Sequence, residues 1–513
     1  MTEKNIGKSI SIQRNTITNY LGQGYTIGVA LIFTPFYLQY LGAEAYGLVG
    51  FYMVMQNWFI LLDFGFSATL GRQVAHTRGQ STGFDERFVI LLKTFELIFI
   101  VMTLSIVTTV FISSDWVAYN WIKPAVLKPN DIAFCITIMG SIIGLRIFST
   151  IYRSGINGFE DQVWVNKLSI VVNTIKYLGS LLILVYLSND IRHFFEYQLV
   201  IGVLETVLLG KRFYFNLPSF DHQMPWLKFD WGILKKILPF ALSITYTSAV
   251  LVVITQFDKL LLSGVLPLEE FGYFSLIAMI AGSVINLSTP VFLAFLPRMT
   301  LLASEGKKEL VIATYVNMTQ IITWVTFTSA MIISIFPREI LYALTGIEKS
   351  YLWGHEILVW YTLGSGIYVM GTFQYYLQNA FGKLRLYVLG STIALIIQTP
   401  LIYFVATKYG ALATGQLWLG FSAIWFLGWT TVVHYQLLPG FHLNWLIKDL
   451  LPIVGSIIIW TFMVEKMNLL DMNDSRIITT TKLIIIGMIS MTFTSLSVRT
   501  FRSKVFAAIR RKI

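Results

Sequence analysis

The chain has 513 residues, 55% of them hydrophobic and only 13% charged, with a mean hydropathy of +0.67. A soluble domain carries roughly 25% charged residues, so this composition excludes a soluble globular protein. The formal net charge of +11 would suit either nucleic acid or a membrane surface, and its distribution along the chain decides for the membrane.

Apolar runs of about 20 to 25 residues recur between short polar stretches, each long enough to cross a roughly 30 Å hydrocarbon core as a helix. A spanning segment must satisfy its own backbone hydrogen bonds, and these runs lack the two-residue alternation of a transmembrane barrel. The pattern predicts an all-α polytopic membrane protein of about fourteen transmembrane helices. They lie near 17–40, 46–70, 88–112, 131–152, 165–187, 193–210, 237–262, 270–296, 311–336, 355–377, 386–407, 410–433, 449–465 and 477–497. The first run, from Ile17 to Tyr40, is too long for a signal-peptide core and reads as an uncleaved span. With the N-terminus in the cytoplasm, cytoplasmic Lys and Arg outnumber those opposite by roughly three to one, the positive-inside bias. Both termini are therefore expected in the cytoplasm, in a multi-pass protein of the cell (inner or plasma) membrane. The tail 498–513 carries Arg499, Arg502, Lys504, Arg510, Arg511 and Lys512, with Val498, Phe501, Val505 and Ile509 on one face. It reads as a basic helix on anionic lipid.

The organisation expected is a cytoplasmic segment 1–16, a six-helix bundle 17–210, a cytoplasmic connection 211–236, a second six-helix bundle 237–433, and two additional helices within 449–497. An internal repeat supports the division. Leu41-Gly42-Ala43-Glu44-Ala45-Tyr46-Gly47 follows the first span, and Leu266-Pro267-Leu268-Glu269-Glu270-Phe271-Gly272 follows the seventh. The motifs lie roughly 225 residues apart with Leu, Glu, an aromatic and Gly in register, followed by Arg72 and by Arg298 with the register slipped by one. An even number of spans separates the copies, so the repeats are parallel, as in transporters whose site lies between two halves.

Machinery for covalent chemistry is missing from the pattern. His76, His193, His222, His355, His434 and His442 are scattered without metal-ligand spacing, and Gly7-Lys8-Ser9 lacks the upstream glycine of a phosphate loop. The lone Cys135 permits no intrachain disulfide. No catalytic residue, metal or cofactor is expected. What remains is a set of ionisable residues within apolar runs: Asp63, Lys93, Glu96, Arg146, Lys176, Glu205, Asp258, Lys259 and Lys482. Each is unfavourable by about 2.5–3.5 kcal/mol at the bilayer centre, and such residues normally face a bundle interior or a wet cavity. Arg146, deep in the fourth span, is the leading cavity cation. Lys93 and Glu96 stand three apart on one helical face and either neutralise each other or serve the cavity. Asp258 and Lys259 are sequence neighbours that point apart, so each is expected to have its own partner. Lys176, Glu205 and Lys482 are placed near span ends, where they snorkel. Pro35, Pro239, Pro290, Pro400 and Pro452 fall within spans, and Pro35 would make a hinge.

Several of these stretches together resemble one family. Leu41-Gly42, Tyr46-Gly47, Leu62-Asp63-Phe64-Gly65 and Arg72-Gln73-Val74-Ala75 look like the opening of the polysaccharide-repeat-unit (O-antigen and capsule type) flippases. These belong to the multidrug/oligosaccharidyl-lipid/polysaccharide exporter superfamily. Gly155-Ile156-Asn157-Gly158-Phe159, Asp258-Lys259 and Gly272-Tyr273 extend the resemblance over most of the chain. It implies two six-helix bundles, a cationic central cavity, and outward movement of an undecaprenyl-pyrophosphate-linked oligosaccharide. Arg146, Lys93, Lys259 and Arg72 are then the candidate substrate-binding cations, with Asp63, Glu96 and Asp258 as ion-coupling or pairing carboxylates. Lys259 departs from the family, where Arg is commoner. The expected partners are the lipid-linked oligosaccharide, membrane lipids, H+ or Na+, and the glycan polymerase or glycosyltransferases of the pathway, with no nucleic acid. The alternatives are an ion-coupled drug exporter or a peptidoglycan-precursor flippase of the same superfamily. A membrane glycosyltransferase or polymerase is a further alternative, disfavoured by the short extracytoplasmic loops 113–130 and 337–354.

Overall fold

The computed structural model describes residues 22, 24–26, 28–79, 84, 86–217, 229–499 and 501–502. The segment 1–16 expected in the cytoplasm, the middle of the expected 211–236 connection and the tail beyond Arg502 lie outside the described residues. Among those described the chain is helical throughout, without strands, and ten helices are long and apolar enough to cross a membrane. The protein is a polytopic membrane protein.

The other expected spans have identifiable causes. The helix over 28–41 (α1) is the described part of the first span and continues through Pro35. Spans 386–407 and 410–433 run together as Arg385–Leu437 (α15), bent at Gly410, whose φ of 71° only glycine adopts readily. Spans 193–210 and 355–377 are the helices Ile191–Asn216 (α7) and Glu348–Gly371 (α13). Polar residues within them, Glu196 and Glu205 in the one and His355 and Glu356 in the other, lower their mean hydropathy.

The chain packs as two compact units, Met1–Gly272 and Tyr273–Ile513. In the first, the helix Pro129–Gly158 (α5) is central, packed on Phe66–Gly79 (α3), Glu86–Trp116 (α4) and α7. Ile132, Ile136, Met139, Ile143, Ile147 and Ile151 recur at helical spacing on α5 and are buried. Within lipid such a stripe is held by close packing rather than by water exclusion. Gln162–Tyr186 (α6) packs on α5 and α7, and Trp231–Val265 (α8) packs on α3 and on Ala43–Phe59 (α2). The first unit thus reaches beyond the 211–236 connection, because α8 finds its partners on α2 and α3.

The expected second span, 46–70, is broken. After α2 the chain makes a tight turn over Ile60–Asp63, then passes through Phe64 (φ 47°) and Gly65 (φ 69°) before α3 begins. Asp63 accepts from Ser67 N–H (3.3 Å) and Ser67 Oγ (2.7 Å), so it caps the new helix. The second copy of the repeat behaves alike. The helices Leu268–Asn286 (α9) and Thr289–Ser304 (α10) meet at a break over Leu287 and Ser288. Moreover, α2 begins at Ala43 and α9 at Leu268, equivalent positions of the two motifs.

The two motifs touch. A Cβ on Gly47 would stand 2.3 Å from the Leu268 carbonyl oxygen, and one on Gly272 would stand 2.2 Å from that of Ala43. Ala43 matches Leu268 and Gly47 matches Gly272, so the contact is reciprocal, the signature of a local two-fold relation. It lies at one end of the bundle, beside the connection between α4 and α5. There Asp190, capping α7, accepts from Arg192, which holds its carboxyl below the usual carboxylate range; Arg192 also pairs with Asp131 of α5 at 3.2 Å.

In the second unit Lys308–Ile335 (α11), α13 and α15 pack together, with Pro337–Thr345 (α12) on α13 and Phe373–Ala380 (α14) on α10 and α15. The short helix His442–Trp445 (α16) leads through a π turn into Leu451–Lys466 (α17), followed by Arg476–Ser495 (α18). α17 and α18 both pack on α11. Buried Trp445 donates to Thr319 Oγ1 at 3.0 Å, and Asp449 accepts from Gln320 at 2.9 Å and pairs with Arg499 at 3.1 Å.

Candidate functional site

Arg146, the Lys93–Glu96 pair and the Asp258–Lys259 pair belong to three separate clusters of the first unit. The one around Arg146 is the least neutralised. Arg146 projects from α5 as an exposed residue flanked by buried Ile143 and Ile147. Its guanidinium acts on Tyr52 of α2 and on Lys176 and Tyr177 of α6. Lys176 lies near the middle of α6, not at an end. The expectation that it snorkels is therefore corrected: the residue sits mid-helix and faces a cavity rather than an end of α6. It lines a cavity with Thr34, Tyr37, Tyr46, Tyr52, Tyr177 and Gln198, formed by α1, α2, α6 and α7. About 40 Å³ of that space is open to a water centre, room for roughly three waters.

Glu205 of α7 is the carboxylate that acts on both Lys176 and Tyr52. It is already engaged: Arg153 Nη2 donates to its Oε1 at 2.5 Å, and Arg153 Nη1 donates to Ser169 Oγ at 3.0 Å. Among the described residues neither Arg146 nor Lys176 forms an ion pair, and Glu205 is taken up by Arg153. The aromatic walls are fixed by their own bonds. Tyr37 donates to the Tyr177 carbonyl at 2.8 Å, and the two rings stack at 6.2 Å. Gln198 donates to Ser180 at 2.8 Å. An uncompensated positive group in a low-dielectric bundle attracts an anion, and guanidinium binds phosphate oxygens through paired, charge-assisted bonds.

The second cluster is closed. Lys93 pairs with Glu96 at 2.8 Å and donates to the Tyr214 hydroxyl at 2.8 Å, while Tyr152 donates to Glu96 at 3.0 Å and Tyr214 also donates to Glu96. Only 11% and 10% of the Lys93 and Glu96 side chains is exposed, so this is mutual neutralisation inside the bundle. The third cluster is a correction. Lys259 does not point away from Asp258: its stem folds back, placing Nζ 3.1 Å from Asp258 Oδ1 and 2.7 Å from the Thr255 carbonyl. Four methylenes are enough to bring the ammonium around to the adjacent carboxylate.

Asp63 serves as the cap described above, and Arg72 is exposed on α3, outside the cavity lining. The Gly155–Phe159 motif turns α5 towards α6, and a Cβ on Gly158 would stand 2.4 Å from the Gly71 carbonyl oxygen, so this motif is a packing element. Glu205 pairs as noted, and Lys482 pairs with Asp474 at 2.6 Å. Sequence spacing missed a contact in the second unit. His434 and His442 meet at 2.9 Å through their Nδ1 atoms, and Tyr315 reaches His434 Nε2 at 2.8 Å. A short reversal after α15 brings the two imidazoles together, which helical periodicity does not reveal.

The sequence profile of the family described as "Polysaccharide biosynthesis protein" matches residues 12–303, more than half of the chain. The chain belongs to the polysaccharide biosynthesis protein family. A comparison with curated protein sequences gives no match. Among solved structures, the lipid II flippase MurJ in an inward closed conformation is similar with a TM-score of 0.68 at 15% identity, over 93% of this chain and 98% of that one. An inward-facing multidrug resistance MATE family transporter of the MOP superfamily is similar with a TM-score of 0.63 at 12% identity, over 86% of this chain and 96% of that one. A MOP superfamily transporter from Pyrococcus furiosus follows with a TM-score of 0.55 at 13% identity, over 83% and 96%. These likenesses show that this polysaccharide biosynthesis protein has the MOP fold.

Proposed function

We propose that this protein flips polyprenyl (undecaprenyl)-pyrophosphate-linked oligosaccharide units from the cytoplasmic to the outer face of the plasma membrane for surface polysaccharide synthesis. The observation that carries this is Lys176 on the wall of a tyrosine-lined cavity, with Arg146 on the adjoining α5 and Glu205 already engaged by Arg153. A pyrophosphate head supplies the missing negative charge, and tyrosine faces suit the sugar rings behind it. Family membership and the MOP fold support the same reading. Alternating access of two six-helix halves, 17–210 and 237–433, would carry the substrate across, with both termini cytoplasmic. Lys93, Lys259 and Arg72 have a lesser claim on the substrate, the first two because each already has a carboxylate.

The supporting experiment is deletion of the gene in its host. Intact lipid-linked units should accumulate on the cytoplasmic face while surface polymer disappears. Normal surface polymer would overturn the reading. A second reading, transport of a peptidoglycan-precursor lipid, is favoured by the coverage of the MurJ structure. It shares the pyrophosphate head and predicts arrested wall synthesis instead of lost surface polymer.

A further inference from the structure

Resting on the flippase reading, we infer that the turn between α8 and α9 is the movable side of an extracytoplasmic latch, and that it must part from the α4–α5 connection for substrate to leave. Three connections that the charge distribution places outside, 41–46, 113–130 and 263–269, meet at one end of the first unit. The bonds between them are specific. Trp121 Nε1 donates to Ser263 Oγ at 2.9 Å, Lys123 Nζ donates to the Val265 carbonyl at 2.9 Å, and Leu268 N–H donates to the Lys123 carbonyl at 2.9 Å. The last bond satisfies an amide at the start of α9 that has no partner within its own helix.

The other side of the latch is held still. Glu44, in the first turn of α2, accepts from the backbone N–H groups of Ala125, Val126 and Leu127 at 2.9–3.0 Å. One carboxylate thus fixes the strap that carries Trp121 and Lys123. Beside it, Gly47 and Gly272 let α2 and α9 meet with backbone carbonyls in the contact, and the Leu268 side chain rests on Gly47.

That construction suits a contact that opens and closes. The glycines leave only the Leu268 side chain to slide off α2, and the Lys123 bond is exposed, where water replaces it readily. The bonds join segments more than a hundred residues apart in sequence, so nothing local re-forms them once the turn has moved. Glu44 is accordingly a positioning residue: it acts through the strap and touches no substrate.

The test uses the full-length protein with Cys135→Ala, reconstituted in liposomes with undecaprenyl-pyrophosphate-linked repeat units extracted from the host. Lys123→Cys combined with Leu268→Cys is closed by oxidation or a short bis-maleimide. Closure is expected to slow flipping at least tenfold, with reductant restoring the rate of the disulfide form; closed protein that flips at the reduced rate overturns the latch. A second measurement needs no transport. Ser263→Cys, buried in the latched form, is probed with an impermeant maleimide from outside. Gly47→Ala and, separately, Glu44→Gln should each raise its labelling rate several-fold, and unchanged rates in both overturn the proposal. If labelling responds while neither parent nor variant flips the lipid, the latch stands and the flippase reading fails.

Discussion

Lys93 Nζ lies 2.8 Å from Glu96 Oε2, and the hydroxyls of Tyr152 and Tyr214 close the remaining polar sites of the pair. Two opposite charges buried together need each other more than the fold needs either. Removing one leaves an uncompensated charge, a loss of about 3–5 kcal/mol, whereas replacing both with apolar residues is often close to neutral. Lys93→Leu and Glu96→Leu should each lower membrane-extracted stability and protein level, and the double variant should recover much of both. Thermal unfolding in detergent checks this; a double variant worse than either single would assign the pair a role in transport.

Arg146 and Lys176 should behave differently, because neither forms an ion pair among the described residues. Arg146→Ala and Lys176→Met should leave the protein in the membrane yet reduce glycan export by about 10- to 100-fold, the loss of one charge-assisted contact of about 1.5–3 kcal/mol. Arg146→Lys should be intermediate, keeping the charge and losing the paired geometry. Full export by Arg146→Ala would remove this residue from the substrate path.

Asp63 is a cap. Asp63→Ala should cost about 1 kcal/mol of stability, and Asp63→Asn or Asp63→Ser should retain most of it. A transport defect in Asp63→Asn with unchanged unfolding temperature would instead make the charge functional.

The topology has its own check. With Cys135→Ala as background, Val126→Cys, 85% exposed, should react with an impermeant maleimide added outside intact cells or spheroplasts. Glu160→Cys, at the opposite end of α5, should react only after the membrane is opened. The reverse pattern would invert the protein and place the Glu44 strap in the cytoplasm.

Much of the fold was legible because lipid imposes simple rules: an apolar run must be a helix, and its length sets its span. The repeat was legible too, since Glu44 and Glu269, and Gly47 and Gly272, keep register in sequence. What escaped is what depends on the third dimension. The break at Asp63 to Gly65 hides inside an apolar run, because hydropathy ignores left-handed backbone. Lys176 is expected near a span end although 165–187 is centred on it, and only the packing of α1, α2, α6 and α7 puts it on a cavity wall. The turn of the Lys259 stem onto Asp258 and the meeting of His434 with His442 are likewise side-chain geometry with no period. For the candidate site, Arg146 stood out as a deep cation, but its partner Lys176 and the engaged Glu205 emerge only when α5, α6 and α7 are packed together.

The most direct test of the central claim is flipping by the purified protein. Liposomes would contain it with a fluorescent undecaprenyl-pyrophosphate-linked oligosaccharide, and an impermeant reagent would quench whatever faces outward. The account predicts that protein-containing vesicles lose the protected inner fraction, and that Arg146→Ala protein leaves it largely protected. Equal protection with and without the protein, at a reconstitution verified by maleimide labelling, would contradict it.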